Sequence, residues 1–135
     1  MRIQENLEKS KYEADGSIQI QGTTIPYHTI CEDNFFVDEE NNPVASIFSY
    51  AYFRSDVQDN SKRPILFIYN GGPGCASLWL HMGLFGPRIV KLDDELNLPT
   101  VPPFELEDNP HCLLDLCDLV FIDPAGTGLG RLIQE

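Results

Sequence analysis

Basic residues are scarce in this chain of 135 residues. It has 9 lysines and arginines against 21 aspartates and glutamates, which leaves a formal net charge of -12 at pH 7. Because such an acidic surface repels phosphate groups, the composition argues against nucleic acid and against anionic membrane lipid as partners. The length allows one domain of ordinary size.

Cysteines are also few, and none forms the C-x-x-C pair of a zinc or redox site. We therefore expect four buried thiols in a reducing compartment. The first residues, MRIQENLEKSKYEADGS, contain no apolar core of a signal peptide, which predicts a cytoplasmic location. No apolar run approaches the roughly 20 residues that a membrane helix needs, so we predict no membrane partner.

Alternating apolar and polar residues predict several strands. A polar amino-terminal segment, residues 1–16, precedes SIQIQG and TTIPYHTI, which together predict a β-hairpin around Gly22. Residues 44–53 predict a strand that is covered on both faces. The runs PILFIY, residues 64–69, and DLVFID, residues 118–123, are continuous apolar stretches typical of buried central strands.

Each of these two apolar runs leads into a glycine-rich turn. The first turn is Asn70-Gly71-Gly72-Pro73-Gly74, and a short predicted helix follows it and ends at Gly86-Pro87. The acidic, proline-rich stretch after Pro87 predicts a surface excursion with at most a short hairpin. Two buried strands that end in glycine-rich turns indicate an α/β fold with functional loops at the strand carboxyl ends.

The first turn is suited to binding negative charge. Its glycines let the backbone approach a ligand closely, and the following helix adds amide donors. A phosphate is the weaker candidate, because the chain lacks the G-x-x-x-x-G-K-[ST] and G-x-G-x-x-G motifs and has no Lys or Arg between Pro64 and Pro87. An oxyanion needs only preorganised N–H donors, so the turn favours an oxyanion hole.

A strand, a sharp turn and a helix are also the layout of a nucleophile elbow, with Cys75 and Ser77 as candidates. However, G-x-S-x-G occurs nowhere in the chain. We therefore favour core packing for Cys75 and helix capping for Ser77. The alternative is a self-contained hydrolase that uses Cys75.

Two stretches together resemble a known family. RPILFIYNGGPGCASLWLHMGLFGPRIV and DNPHCLLDLCDLVFIDPAGTG are similar, in order and spacing, to the amino-terminal part of the serine carboxypeptidases, a branch of the α/β-hydrolase fold. The resemblance implies that residues 17–135 form an incomplete α/β-hydrolase domain, with a mixed sheet that starts from a β-hairpin.

The resemblance also implies roles for single residues. Asn70 would hydrogen-bond the free carboxylate of a peptide's last residue. Gly72 would donate its backbone N–H to the oxyanion, and Gly71 would shape the turn. Residues 123–128 would line the same cleft. The family removes a carboxy-terminal amino acid with a Ser-His-Asp triad and without metal or cofactor, so the implied partner is a peptide or protein carboxy terminus.

The chain departs from the family pattern at several positions. Ile68 stands where secretory members often have Trp, Ala76 stands where Ser is common, and Leu129 replaces an aromatic residue. The triad and the glutamate beside the nucleophile belong to later parts of the family sequence. We therefore expect a fragment that is inactive alone, with the missing carboxy-terminal part of the domain as a partner. The alternative is a small carboxylate-binding or peptide-end-binding module, or an inactive remnant.

The histidines are interpreted as structural, because a catalytic base needs a nucleophile within hydrogen-bond reach and no serine is placed for it. A zinc site is a further alternative, but its spacing matches no common site. The histidines are His28, His81 and His111, and the zinc alternative uses His111, Cys112, Asp115 and Cys117.

Overall fold

A computed structural model describes residues 8–133. Its strands are β1 (Lys11–Ile20), β2 (Thr23–Val37), β3 (Pro43–Arg54), β4 (Ile65–Tyr69), β5 (Arg88–Val90), β6 (Leu106–Asp108), β7 (Asp118–Asp123) and β8 (Arg131–Leu132). A short 3-10 turn, Asn60–Lys62, precedes β4. Helix α1, Leu78–Leu80, continues into a π-helical turn, His81–Phe85.

The main sheet is mixed, as predicted. Its strand order is β1-β2-β3-β7-β4, and β8 pairs with β3. β4 runs parallel to β7, whereas the other pairs in this sheet are antiparallel. β5 and β6 form a separate two-stranded hairpin, which is the short hairpin expected in the excursion after Pro87. The α/β class with a β-hairpin start is therefore confirmed.

The opening hairpin is longer than predicted. Its two-residue turn is formed by Gln21 (φ 49°) and Gly22 (φ 80°), the left-handed pair that matches the twist of a hairpin. β1 already begins at Lys11, inside the predicted polar segment, and residues 1–7 of that segment lie outside the described part. β2 extends to Val37 because the acidic stretch around Asp33 pairs with β3.

Apolar residues from the opening hairpin and from residues 68–121 meet in one core. β1 contributes alternate side chains, Ile18 and Ile20, and leaves Gln19 exposed. This period of two is what a strand with one covered face requires. The other buried members are Ile25, Tyr27, Ile68, Cys112, Leu114, Leu119 and Phe121.

The two apolar runs occupy different places in the sheet. β7 lies between β3 and β4 and is largely buried, as predicted. The prediction of a buried central strand is wrong for β4, which lies at the edge of the sheet with only Ile68 buried. The other side chains of β4 are exposed because, within residues 8–133, only β7 packs extensively against this strand.

The cysteines are free thiols, but they are not all buried. Cys112 is buried, and Cys31, Cys75 and Cys117 are half-buried, so the prediction of four buried thiols is wrong for three of them. Burial raises the pKa of Cys112 to about 11. Within residues 8–133, no helix has the length and the apolar character needed to cross a membrane.

Candidate functional site

The two glycine-rich turns leave the sheet at the same end, where the parallel strands β4 and β7 finish. β4 and β7 are parallel neighbours, with Tyr69 opposite Ile122, so the turns that follow them start side by side. We call them the Asn70 loop, residues 70–74, and the Asp123 turn, residues 123–128. The structure thus brings together the two segments that the sequence marked as functional.

The Asn70 loop has a backbone that only glycine adopts readily. Gly72 has φ +111° and Gly74 has φ +89°, whereas Gly71 lies outside this left-handed region. All three glycines are exposed, and apart from each glycine and its two chain neighbours no atom of the described residues lies within 4 Å of the position that a Cβ would take. The loop therefore presents its peptide groups to solvent without obstruction from side chains.

Several donors of the Asn70 loop have no partner within residues 8–133. The hydrogen bonds of that part of the chain include neither the side-chain amide of Asn70 nor the backbone N–H groups of Gly71, Gly72 and Gly74. Asn70 itself is half-buried. Grouped free donors at the end of a strand are what an anion-binding loop requires.

Asp123 ties the two turns together. This buried carboxylate accepts the backbone N–H of Ser77 on Oδ1 at 2.8 Å, which anchors the start of α1. Its Oδ2 accepts the hydroxyl of Tyr50 at 3.0 Å and the N–H of Leu129 at 3.2 Å. One charged group therefore connects β3, the helix start and the end of the Asp123 turn.

Gly128 makes this arrangement possible. It has φ +51°, and a Cβ at this position would collide with the Asp123 carboxylate. Thr127 closes the turn by donating from both its N–H and its Oγ1 to the carbonyl of Pro124, at 3.0 Å and 2.9 Å. The predicted tight turn after β7 is therefore present.

Ser77 does not act as predicted. It stands at the N-cap position of α1, but its side chain makes no capping hydrogen bond. Its hydroxyl donates instead to the carbonyl of Ile122, because β7 brings that oxygen against it. The capping prediction is therefore wrong, and a buried hydroxyl that is already engaged is a poor nucleophile. Cys75 is half-buried, and within residues 8–133 its thiol forms no hydrogen bond with a base.

Comparison with known proteins connects this geometry to one family. The chain matches no family model. It is 34% identical over 92 residues to the pheromone-processing carboxypeptidase KEX1 of Saccharomyces cerevisiae strain JAY291, and this match covers 67% of the chain. It is 31% identical over 88 residues to serine carboxypeptidase-like 36 of Arabidopsis thaliana, and this match covers 64% of the chain. The chain belongs to the serine carboxypeptidase family.

The fold agrees with membership of the serine carboxypeptidase family. The crystal structure of Kex1(delta)p, a prohormone-processing carboxypeptidase from Saccharomyces cerevisiae, matches 87% of the chain with a TM-score of 0.52 and 24% identity. The match covers 20% of that solved chain. The chain spans 11% of the length of the KEX1 relative and 16% of the Arabidopsis protein.

In this member of the serine carboxypeptidase family, a cavity of about 290 Å³ lies beside the Asp123 turn. It is lined by Tyr50, Leu78, His81, Met82 and Asp123. No sequence pattern points to this group of residues, because its members come from β3, the helix and β7. The position of Asp123 at the end of an apolar run was the only hint, since a carboxylate there must find partners when it is buried.

His81 is buried among aromatic rings. Its Nε2 lies 2.6 Å from the Tyr52 hydroxyl, and its ring stacks on Phe121 with 4.5 Å between the centroids. Burial lowers the pKa of His81 to about 4, although the nearby charge of Asp123 acts in the opposite direction. This environment agrees with the structural interpretation of His81.

Within residues 8–133, the side chains of the other two histidines form no hydrogen bond with a serine or a cysteine. His28 contacts Asp15 across the opening hairpin at 2.7 Å, and His111 is exposed. Among residues 8–133, no three or more His, Cys, Asp and Glu side chains form a group that could hold a metal ion.

The buried His81 predicts a loss of stability in acid. The unfolded chain binds a proton near the ordinary pKa of about 6.5, whereas the folded chain resists protonation until about pH 4. The stabilising contribution is therefore complete above about pH 6.5 and decreases as the pH falls toward 4, by about 3 kcal/mol in all. Urea unfolding at several pH values measures this dependence. The variant His81→Gln should lose this part of the pH dependence, and an unchanged dependence would contradict the assignment.

Proposed function

We propose that the Asn70 loop binds the free carboxylate of a peptide and the oxyanion that forms at its last peptide bond. The observation that carries this proposal is a group of donors without partners within residues 8–133, on the half-buried Asn70 and the exposed Gly71 and Gly72, beside the carboxyl ends of β4 and β7. Family membership supports it, because the named relatives are carboxypeptidases.

The chemistry assigns a separate task to each donor. When a nucleophile attacks the carbonyl carbon of the last peptide bond, negative charge develops on the carbonyl oxygen. The N–H of Gly72 stabilises that oxyanion, and Gly71 shapes the turn that holds the donor in place. The side chain of Asn70 donates to the carboxylate of the departing residue and so selects a chain end over an internal bond.

We further propose that the chain acts as one part of a serine-type carboxypeptidase and is inactive alone. The sequence contains no G-x-S-x-G, and Ser77 has its hydroxyl engaged. On the side away from β7, β4 pairs with no strand of residues 8–133, which suits the addition of a further strand from the remaining part of the domain. Ile65, Phe67 and Tyr69 are exposed on one face of β4, which the same part would cover.

A binding module is the second candidate. All donors of the Asn70 loop are present within the described part of the chain, so the loop can capture a carboxylate without any triad. Under either proposal the partner is a peptide or protein carboxy terminus, and the acidic charge disfavours nucleic acid and anionic membranes.

A peptide-binding measurement tests the loop. We expect the chain to bind a short peptide with a free carboxylate better than the same peptide with an amidated end. Asn70→Ala should weaken binding of the free acid about tenfold, because it removes a hydrogen bond to a charged group. Asn60→Ala, at an exposed turn outside the loop, is the matched control and should change nothing. Equal binding of acid and amide would contradict the proposal.

The same mixtures of chain and free-acid peptide also test whether the chain hydrolyses the peptide. No release of free amino acid is expected from the 135-residue chain, because it supplies donors but no activated nucleophile. Release that stops in the variant Cys75→Ala would instead support the self-contained cysteine hydrolase.

A further inference from the structure

An apolar cavity of about 460 Å³ lies between the helix and the acidic excursion, which we define as residues 88–108. The helix side contributes Leu78, Trp79, Met82 and Gly83, and the excursion contributes Val90, Leu92, Leu96 and Leu98. None of these residues belongs to the Asn70 loop. Most of the large side chains around the cavity are exposed.

The turn that carries Leu96 occurs twice in the chain. Residues 38–42, DEENN, and residues 93–97, DDELN, share one hydrogen-bond pattern. In each turn the first aspartate accepts the N–H groups of the third and fifth residues at 2.8–2.9 Å. The fourth residue has φ 63° in both turns and is Asn41 in one and Leu96 in the other.

This internal comparison makes Leu96 unusual. Asparagine is one of the few residues other than glycine that adopt positive φ readily, whereas leucine does so at a cost in free energy. Leu96 is also 77% exposed, so contacts within residues 8–133 do not offset that cost. A leucine with this conformation and exposure is suited to being buried by a partner.

We propose that this cavity docks a segment of another protein that combines apolar side chains with lysine or arginine. Leu96 is the anchor at its mouth. The proposal goes beyond the proposed carboxypeptidase function and does not depend on it.

Charge selects this partner over others. Arg88 and Lys91 are the only cations between residues 64 and 130, and they are paired with Asp108 and Glu105 at 2.9 Å. Asp94 and Glu95, in the turn between Leu92 and Leu96, form no ion pair within residues 8–133. These two carboxylates, in the turn that also carries Leu96, attract a basic, apolar segment to the cavity, whereas a second copy of this chain, whose net charge is -12, is repelled.

Tryptophan fluorescence provides the readout, because Trp79 is the single tryptophan and lines the cavity. The probe is a peptide of alternating leucine and lysine with an amidated end, which removes any carboxylate for the Asn70 loop. We expect it to change the Trp79 emission in a saturable manner. Matched peptides of leucine with glutamate and of serine with lysine should bind at least about tenfold more weakly.

The variant Leu96→Asn separates docking from folding. It places in this turn the residue that stands in the other turn, so it should unfold at the same or a higher temperature. It should nevertheless weaken binding of the leucine-lysine peptide about tenfold. Binding equal to that of the unchanged chain would overturn the proposal.

Charge is tested with two matched double variants. Asp94→Asn with Glu95→Gln should weaken binding and its salt dependence, whereas Glu39→Gln with Glu40→Gln, in the turn without a cavity, should not. Equal weakening by both pairs would show an effect of net charge alone and would overturn the docking site. Equal binding of the serine-lysine peptide, or loss of binding in Asn70→Ala alone, would also overturn it.

Discussion

Replacing Asp123 by alanine is expected to lower the free energy of unfolding by about 4 kcal/mol, because three hydrogen bonds to a charged, buried group are lost together. The N–H of the buried Ser77 would remain without a partner, and the hydroxyl of the half-buried Tyr50 would lose its acceptor. Urea unfolding measures the change. Asp94→Ala, at an exposed position of the acidic excursion, is the control and should change stability by less than about 0.5 kcal/mol.

The same substitution should disturb the Asn70 loop. Asp123 holds the start of α1 through Ser77, and the loop ends only three residues before Ser77. Tyr50→Phe removes a single hydrogen bond and should cost about 1 kcal/mol. If Asp123→Ala cost no more than Tyr50→Phe, Asp123 would not be the link between the two turns.

Replacing Arg63 by methionine is expected to cost about 3 to 5 kcal/mol, because it leaves a buried carboxylate without its cation. Nε of Arg63 lies 2.7 Å from Oδ1 of Asp118, and the two side chains are only 8% and 6% exposed. Arg63 also donates to the carbonyl of Leu114, and Asp118 accepts the N–H of Arg54. The pair thus joins the start of β4 to the start of β7.

Two further variants make this prediction specific. Arg88→Met breaks an ion pair with Asp108 whose side chains are 48% and 42% exposed, and it should cost less than about 1 kcal/mol. The double variant Arg63→Met with Asp118→Leu should recover much of the loss, because it removes the buried charge as well. Similar losses from Arg63→Met and Arg88→Met would contradict the assignment.

Local patterns were sufficient to predict the opening hairpin, β3, β4 and β7, and the two turns of the site, although not β8 or the full lengths of β1 and β2. The runs before Asn70 and before Pro124 are short, continuous and apolar, and each is followed by glycines that end a strand. Parallel pairing of β4 and β7 then brings the two turns together. The membership of the family followed from the same two segments, since their residues carry the resemblance.

Long-range partners were not predictable in the same way. An apolar run such as PILFIY has the same pattern whether its strand lies at the centre or at the edge of a sheet, so the exposure of β4 was missed. Asp33 is a second example, because the sequence pattern does not distinguish a buried aspartate from an exposed one. Its carboxylate is buried and accepts the Ser46 hydroxyl at 2.7 Å and the Ser10 N–H at 3.0 Å.

Ser77 illustrates the same limit. A serine before an apolar helix usually caps it, and that pattern is local. The carbonyl of Ile122 and the carboxylate of Asp123 are more than forty positions away in the chain. Only the pairing of β4 with β7 brings them to Ser77, and no spacing in the sequence encodes that contact.

The most direct test of the central claim is the amide NMR spectrum of the Asn70 loop during titration with a short peptide. With a free carboxylate on the peptide, the signals of the Gly71 and Gly72 N–H groups and of the Asn70 side-chain amide should shift in a saturable manner. The amidated peptide should leave them in place. Shifts of equal size with both peptides, or shifts confined to residues outside this loop, would contradict the assignment of the loop as a carboxylate and oxyanion site.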